Sequence, residues 1–342
     1  MSVNAYLTNA AVRHQIFVER FGGGLWKNDI EPIIVKLRDD LASLVANVQL
    51  TEEQLFRVNT VIADADALIA GAQTQMNGQF EAKLPPFAEY EAQFSTKLLG
   101  GVLNVEVAGV SVEVVAAAAT NTTISLVSGS KVEQATVEQI ITEFSASASR
   151  DISAVLRQGV IEGRTTQQLA SDVYRTVNTR TRQQAEALTR TVVQSVSAQA
   201  SRAVGEANQD VLQGERWTAT LDGRTTLTCA GRDGKIYPIG QGPYPPAHFR
   251  CRSRRVWQVK PEFALPGFEG ERASVRGPVS AQTTYGGWLK KQSTQFQDDV
   301  LGPERATLFR AGKVSIDRFT DDAGRVLTLD ELRAREGLTL AN

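Results

Sequence analysis

Sulfur and imidazole are scarce in this chain: its 342 residues hold two cysteines, two histidines and two methionines. Two cysteines, Cys229 and Cys251, cannot build a secreted disulfide scaffold, and their rarity fits a reducing compartment. Excess charge of either sign is missing too. With 37 basic against 38 acidic residues the net charge is -1, which excludes a uniformly basic nucleic-acid coat and leaves only local basic surfaces. Long apolar runs are also absent: the most apolar stretch, Val102 to Ala119, is interrupted by Asn104, Glu106, Ser111 and Glu113, which argues against a membrane-spanning helix. The opening MSVNAYLTNAAVRHQ lacks the order of a secretory signal, a basic stretch, an apolar run and then a small-residue cleavage site. A soluble protein is expected. No Walker A loop, no His-Glu-x-x-His and no Gly-x-Ser-x-Gly occurs, so three common catalytic patterns drop out.

What is present suits a folded, multi-domain chain. Apolar residues at 42% and charged residues at 22% are near globular averages, so the chain is neither disordered as a whole nor fibrous. At roughly 150 residues per domain, the length implies about two domains, each able to bury a core.

The first 210 residues are expected to be mostly helical, because apolar residues recur at three- and four-residue spacing. Ile30, Ile33, Leu37, Leu41, Leu44 and Val48 form one stripe, opened by Asn28 as a cap. Thr51 with Gln54 matches a capping box ahead of a second buried face, Leu55, Val58, Ile62 and Ile69. Leu84, Pro85 and Pro86 should break that pattern, since proline lacks an amide donor and restricts its predecessor. Between 102 and 127, Val105, Val107, Val110, Val112 and Val114 alternate with polar or small residues and predict a β-hairpin. The alanines from Ala116 to Ala119 pull toward helix, and a short apolar arm on a partner is the alternative.

Helices resume at Thr136. Thr136 with Gln139 and Thr165 with Gln168 are further capping boxes, with Gly159 and Gly163 marking the turn between the helices. A long helix from about Thr179 to Asn208 should bury Ala185, Leu188, Val192, Val196, Ala200 and Val204. After Gly214 the texture changes, with Trp217, Ala219 and Leu221 alternating as in a strand and glycine, proline and aromatics frequent through Trp257. Pro261 to Pro278 reads as an extended linker; a helix around Tyr285 to Val300 and a last one entered at Thr328, with Glu331 as its capping partner, follow. The expected class is a mainly α N-terminal region, then a small α+β module, then a short C-terminal helical tail. The expected divisions are 1–130 and 131–212 (both helical), 213–260 (the module), 261–282 (a linker) and 283–342 (the tail).

Chemical specificity is concentrated in Thr220 to Arg255, which holds both cysteines and one of the two histidines. Cys229, His248 and Cys251 are metal-ligand types, and His-x-x-Cys can place two ligands on one turn, so a zinc site is chemically reasonable. A structural site normally has four protein ligands, and Asp222 or Asp233 would have to supply the fourth. The bland alternative is two buried thiols beside a hydrogen-bonded histidine. From Asp233 to Glu262 no acidic residue intervenes, while Lys235, Arg250, Arg252, Arg254, Arg255 and Lys260 give a local charge of +6. With Tyr237, Tyr244, Phe249 and Trp257 nearby, that composition suits nucleic-acid phosphates and bases, against the alternatives of a solvated loop or an acidic protein partner. A second basic stretch carries Arg175, Arg180, Arg182, Arg190 and Arg202 against Glu186.

At these residues the chain resembles a known family. Asp222, Arg224, Thr225, Cys229, the step Asp233-Gly234-Lys235 and the ending Pro245-Pro246-Ala247-His248-Phe249-Arg250-Cys251-Arg252 follow, in order and spacing, the C-terminal module of the phage Mu protein F-like head morphogenesis proteins, also called minor capsid or minor head proteins. Two departures matter: Thr226 stands where that pattern has the first cysteine of a Cys-Pro-x-Cys pair, and Ser253 where a further cysteine is frequent. The preceding helices and the tail through TLDELR resemble the same proteins, extending the likeness to roughly residues 135 to 336.

The resemblance implies a structural minor capsid protein of a tailed phage or prophage. Such a protein would be present in several copies per virion and bind the portal inside the procapsid or head. The major capsid or scaffolding protein and packaged double-stranded DNA would be further contacts, and no membrane would be involved. Its expected place is the virion interior near the portal vertex, and the host cytoplasm during assembly. No chemical step and no cofactor beyond zinc at Cys229, His248 and Cys251 are expected. Asp222, Arg224, Thr225, Asp233, Gly234, Pro246 and His248 would hold the module rigid, and Lys235, Arg250, Arg252, Arg254 and Arg255 would face DNA. The alternatives are a treble-clef-like nuclease or other Cys/His enzyme, with Cys229 and His248 as a thiolate-imidazole pair, or a protein ejected with the genome.

Overall fold

The computed structural model describes residues 2–48, 55–128 and 131–337. The helical N-terminal half is as expected, followed by small antiparallel sheets and short C-terminal helices. The capping box at Thr51 and Gln54 lies outside the described residues.

Helices α1 (Val3–Leu25) and α2 (Glu31–Ala46) are joined by a π-helical turn, Trp26–Ile30. Asn28 therefore lies inside a helical run and caps nothing, a correction to the expected start. The buried positions of α2 are Ile34, Leu37, Leu41 and Val45, with Ile30 just before it; Ile33 and Leu44 are half-buried beside that stripe. Helix α3 (Leu55–Gly100) continues through Pro85 and Pro86. The expected break fails because burial on both sides of the prolines outweighs the lost amide bonds, with Leu84, Phe87 and Ala88 in the core and Phe87 stacked on Phe21 at 4.1 Å.

Nor does the hairpin expected between 102 and 127 form there. Ser111 caps α4 (Val112–Asn121), so the alanine run wins over the alternating valines. A hairpin follows later, β1 (Ile124–Ser128) paired antiparallel with β2 (Lys131–Ala135). Helices α5 (Val137–Ile161) and α6 (Thr166–Thr176) open with the two capping boxes read from sequence. Gly163, at a φ of +67°, makes the turn between them, whereas Gly159 lies within α5, where Leu169 packs onto it. A second π-helical turn, Val177–Thr181, leads into α7 (Arg182–Ala207), which buries all six residues expected of it.

The small sheet has the order β4–β3–β5, all antiparallel, with β3 (Leu212–Thr218) central between β4 (Ile236–Tyr237) and β5 (Arg254–Val259). Helix α8 (Leu227–Arg232) lies between β3 and β4 in sequence. The stretch expected as a linker holds a 3-10 turn at Pro261–Phe263 and a second hairpin, β6 (Glu271–Ser274) with β7 (Gly277–Ser280). It is anchored by Arg272, whose side chain is buried, so glycine and proline here mark turns instead of the extended linker expected. The tail forms α9 (Tyr285–Leu289), α10 (Thr294–Leu301), α11 (Pro303–Arg310) and α12 (Leu329–Glu336), the last with the expected Thr328/Glu331 box; one expected helix over 285–300 is thus two.

The chain divides into two compact units. One comprises residues 20–87 and 136–193; its described elements are helices, with α2 and α5 packed against α6. The other comprises residues 1–19, 88–135 and 194–342 and contains all the sheets formed by the described residues. Its cores are built around Trp257 with Val204, Leu212 and Leu7, around Trp217 with Cys229 and Cys251, and around Trp288 with Tyr285, Phe309 and Leu221. That third cluster joins residues of the tail to Leu221 and Ala230.

Candidate functional site

Cys229 is positioned by the start of α8, where the Thr226 hydroxyl accepts a hydrogen bond from the Cys229 amide at 3.4 Å. The return loop runs through the cis Pro245–Pro246 bond and buried Ala247 to His248, Phe249, Arg250 and Cys251. Arg250 has a φ of +58°, in the left-handed region, and the Cys251 amide donates to the His248 carbonyl at 3.2 Å, closing the His-x-x-Cys turn. The Cys229 sulfur lies 3.3 Å from His248 Nε2 and 3.7 Å from the Cys251 sulfur. All three ligand atoms fall within 4.8 Å of one another, so the cluster could hold a metal ion.

The electrostatics of the trio are shared. Burial pushes the Cys229 thiol well above its ordinary value, and its Cys251 neighbour pushes it further. Burial acts the same way on Cys251, but the Cys229 hydrogen bond, the His248 charge and the Ala247 amide hold it well below the ordinary thiol range. Burial would lower His248; the Cys251 sulfur and the bond to the Phe249 carbonyl leave it raised. A protonated, 1% exposed Cys229 is a poor nucleophile, which disfavours the Cys229–His248 catalytic pair.

Neither aspartate completes a metal shell. Asp222 accepts two bonds from Arg252, at 2.6 and 2.9 Å. Arg224 approaches Asp222 through one side-chain nitrogen at 3.5 Å and through its amide at 3.0 Å. Asp222 is held below the ordinary carboxylate range, since Arg252 outweighs the upward push of burial. Thr225 caps the same turn, donating to the Thr220 carbonyl at 2.5 Å. Asp233 is a buried hub: it accepts from the Ala219 amide at 2.7 Å, the Tyr285 amide at 2.6 Å, and Arg272 at 2.7 and 2.9 Å. Gly234 follows at a φ of +87°, its backbone close to Thr284.

The expected DNA-facing cluster does not hold together as a surface. Arg254 is buried near Glu91 at 3.8 Å and bonded to Ser197 at 3.0 Å. Arg255 is buried against Glu215 at 3.0 Å and donates to the carbonyls of Pro238, Gln241 and Pro243, with Tyr237 and Tyr244 over its guanidinium. Arg252 is committed to Asp222, and Trp257 is core. Lys235, Arg250 and Phe249 are exposed. In the second basic stretch each arginine lies beside a carboxylate: Arg175 beside Asp172, Arg180 beside Asp151, Arg182 beside Glu31, Arg190 beside Glu186 and Arg202 beside Glu206.

Three groups carry more of the site than the sequence reading assigned them. His14 is buried, 2.7 Å from Glu91 and stacked 3.6 Å over Phe94. Glu91, fully buried, also accepts from Ser197. Burial would raise its pKa, but His14 and Arg254 leave it lowered. Arg272 supplies the ion pair to Asp233 from a stretch read as linker. None has a local signal, because each partner is distant in sequence.

Residues 150–256 match the family described as Phage Mu protein F like protein. The stretch similar to that family begins within α5, ends within β5 and includes the Cys229–His248–Cys251 cluster. No curated protein and no solved structure matches the chain. Among the described residues, no helix is long and apolar enough to cross a membrane.

Proposed function

We propose that this protein is a structural minor capsid component of a tailed phage head, bound to the portal from the procapsid stage onward and retained inside the head near the portal vertex. The observation that carries the reading is the Mu F-like match over residues 150–256. A module pinned by buried ion pairs at Asp233–Arg272 and Glu215–Arg255 suits a rigid docking body, and its buried thiols leave little for a substrate to reach. The helical region would supply partner contacts, and packaged double-stranded DNA would meet the exposed Lys235 and Arg250.

Quantitative mass spectrometry of purified particles tests this, comparing the chain with portal and major capsid proteins in full virions and in ghosts emptied of DNA. A stoichiometry near that of the portal, far below the major capsid protein, is the expected result. Loss on emptying would add ejection with the genome. Absence from both particles and procapsids would overturn the reading in favour of a nuclease or other enzyme acting on phage DNA.

A further inference from the structure

Two thiols and an imidazole converging in a core call for a physical reason, because burying polar groups costs free energy unless they are paired. A disulfide does not describe them: the sulfurs are 3.7 Å apart, against about 2.05 Å for a bond. Tetrahedral coordination does. Two sulfurs each about 2.3 Å from one zinc lie about 3.8 Å apart, and a sulfur and an imidazole nitrogen about 3.6 Å apart. The observed separations are 3.7 and 3.3 Å.

The surroundings are those a ligand set needs. His248 Nδ1 lies 2.8 Å from the Phe249 carbonyl, which can only accept, so in the neutral ring Nδ1 carries the hydrogen and Nε2 turns its lone pair toward the sulfurs. The Thr226 cap holds the turn that carries Cys229. Among the described residues no fourth histidine, cysteine or carboxylate joins the cluster, and Asp222 and Asp233 are committed to Arg252 and Arg272. The Thr226 hydroxyl lies beside Cys229, accepting a hydrogen bond from its amide at 3.4 Å.

We infer that Cys229, His248 and Cys251 form a three-protein-ligand site for Zn2+, with the fourth vertex left to water, so that the bound ion exchanges with chelators. This stands apart from the head-protein reading. Three ligands hold zinc less tightly than the four of a closed structural site, and Thr226, whose hydroxyl lies 3.4 Å from the Cys229 amide, is the position at which a fourth would be added.

The test uses the full chain, kept reduced, stripped with EDTA and titrated with Co2+ and then Zn2+. The expected result is one ion per chain by elemental analysis, a sulfur-to-cobalt charge-transfer band with tetrahedral visible bands, and displacement of cobalt by zinc. Cys251→Ala should lose the charge-transfer band. Thr226→Cys should strengthen it, tighten zinc binding by at least an order of magnitude and slow removal by EDTA. Should Cys251→Ala fail to fold, the Thr226→Cys comparison still decides, since it asks for a gain. Absence of the charge-transfer band in the wild type overturns the site. A Thr226→Cys protein that binds and releases zinc as the wild type does overturns the open vertex.

Discussion

At the scale of single residues, the module depends on charges taken out of water and paired. Arg272 and Asp233 have side chains 1% and 0% exposed, and Asp233 also receives the amides of Ala219 and Tyr285. Removing the cation leaves the carboxylate buried and uncompensated, so Arg272→Ala should cost about 3–5 kcal/mol in urea unfolding of the full chain. A loss below about 1 kcal/mol would mean the pair is solvated and ordinary. Glu91 makes a second, pH-dependent prediction. Its pKa is lowered on folding, so the stability it contributes is present above its unfolded value of about 4.3 and is lost as pH falls through the lower folded value. Urea midpoints of the wild type should therefore fall more steeply between about pH 5 and 3 than those of Glu91→Gln, whose neutral-pH stability should already be reduced because Arg254 loses its carboxylate. Parallel pH profiles would count against the network.

At the scale of elements, close approach of backbone to side chain decides which glycines matter. A Cβ on Gly205 would lie 2.6 Å from the indole nitrogen of Trp257, a rigid ring held in the core beside Val204 and Leu212. Gly205→Ala should therefore destabilise by about 1–3 kcal/mol despite alanine's better helix propensity. Gly78, in α3, meets nothing within 4 Å, and Gly78→Ala should stabilise by about 0.5–1 kcal/mol. Thermal melts of the two variants in opposite directions would check this; matching shifts would show that the packing of α7 on Trp257 is loose. The continuation of α3 through Pro85 and Pro86 belongs to the same scale. Missing amides weaken a helix locally, yet Phe87 and Leu84 gain enough by burial to keep it unbroken.

At the scale of the whole molecule, the near-zero net charge leaves only patches to meet a polyanion, and burial reduces the expected patch. Lys235→Glu with Arg250→Glu should keep the fold and weaken retention of double-stranded DNA in filter binding, with the difference from wild type shrinking as salt rises. Salt-insensitive retention would remove phosphate contact from the account. Arg254→Glu should behave differently, setting a second carboxylate against Glu91 in the core and lowering stability without reporting on DNA. The tail follows the same logic of burial, because Trp288, Phe309 and Phe319 share a core with Leu221 and Ala230 of the module.

Short-range chemistry could be read directly from residue order. Thr136, Thr165 and Thr328 each bond three residues ahead, and the burial of α7 follows its own periodicity, so these were legible without any neighbour. The cluster of Cys229, His248 and Cys251 was legible as well, because residue type and the His-x-x-Cys spacing already point to one turn. Tertiary structure alone decided the rest. The pairs of Arg272 with Asp233, Arg255 with Glu215, and Glu91 with His14 and Arg254 join residues far apart along the chain, and only folding shows which arginines are surface and which are core. An arginine reads as a surface charge from sequence because desolvating it alone is prohibitive; the partner that makes its burial tolerable is brought by the fold.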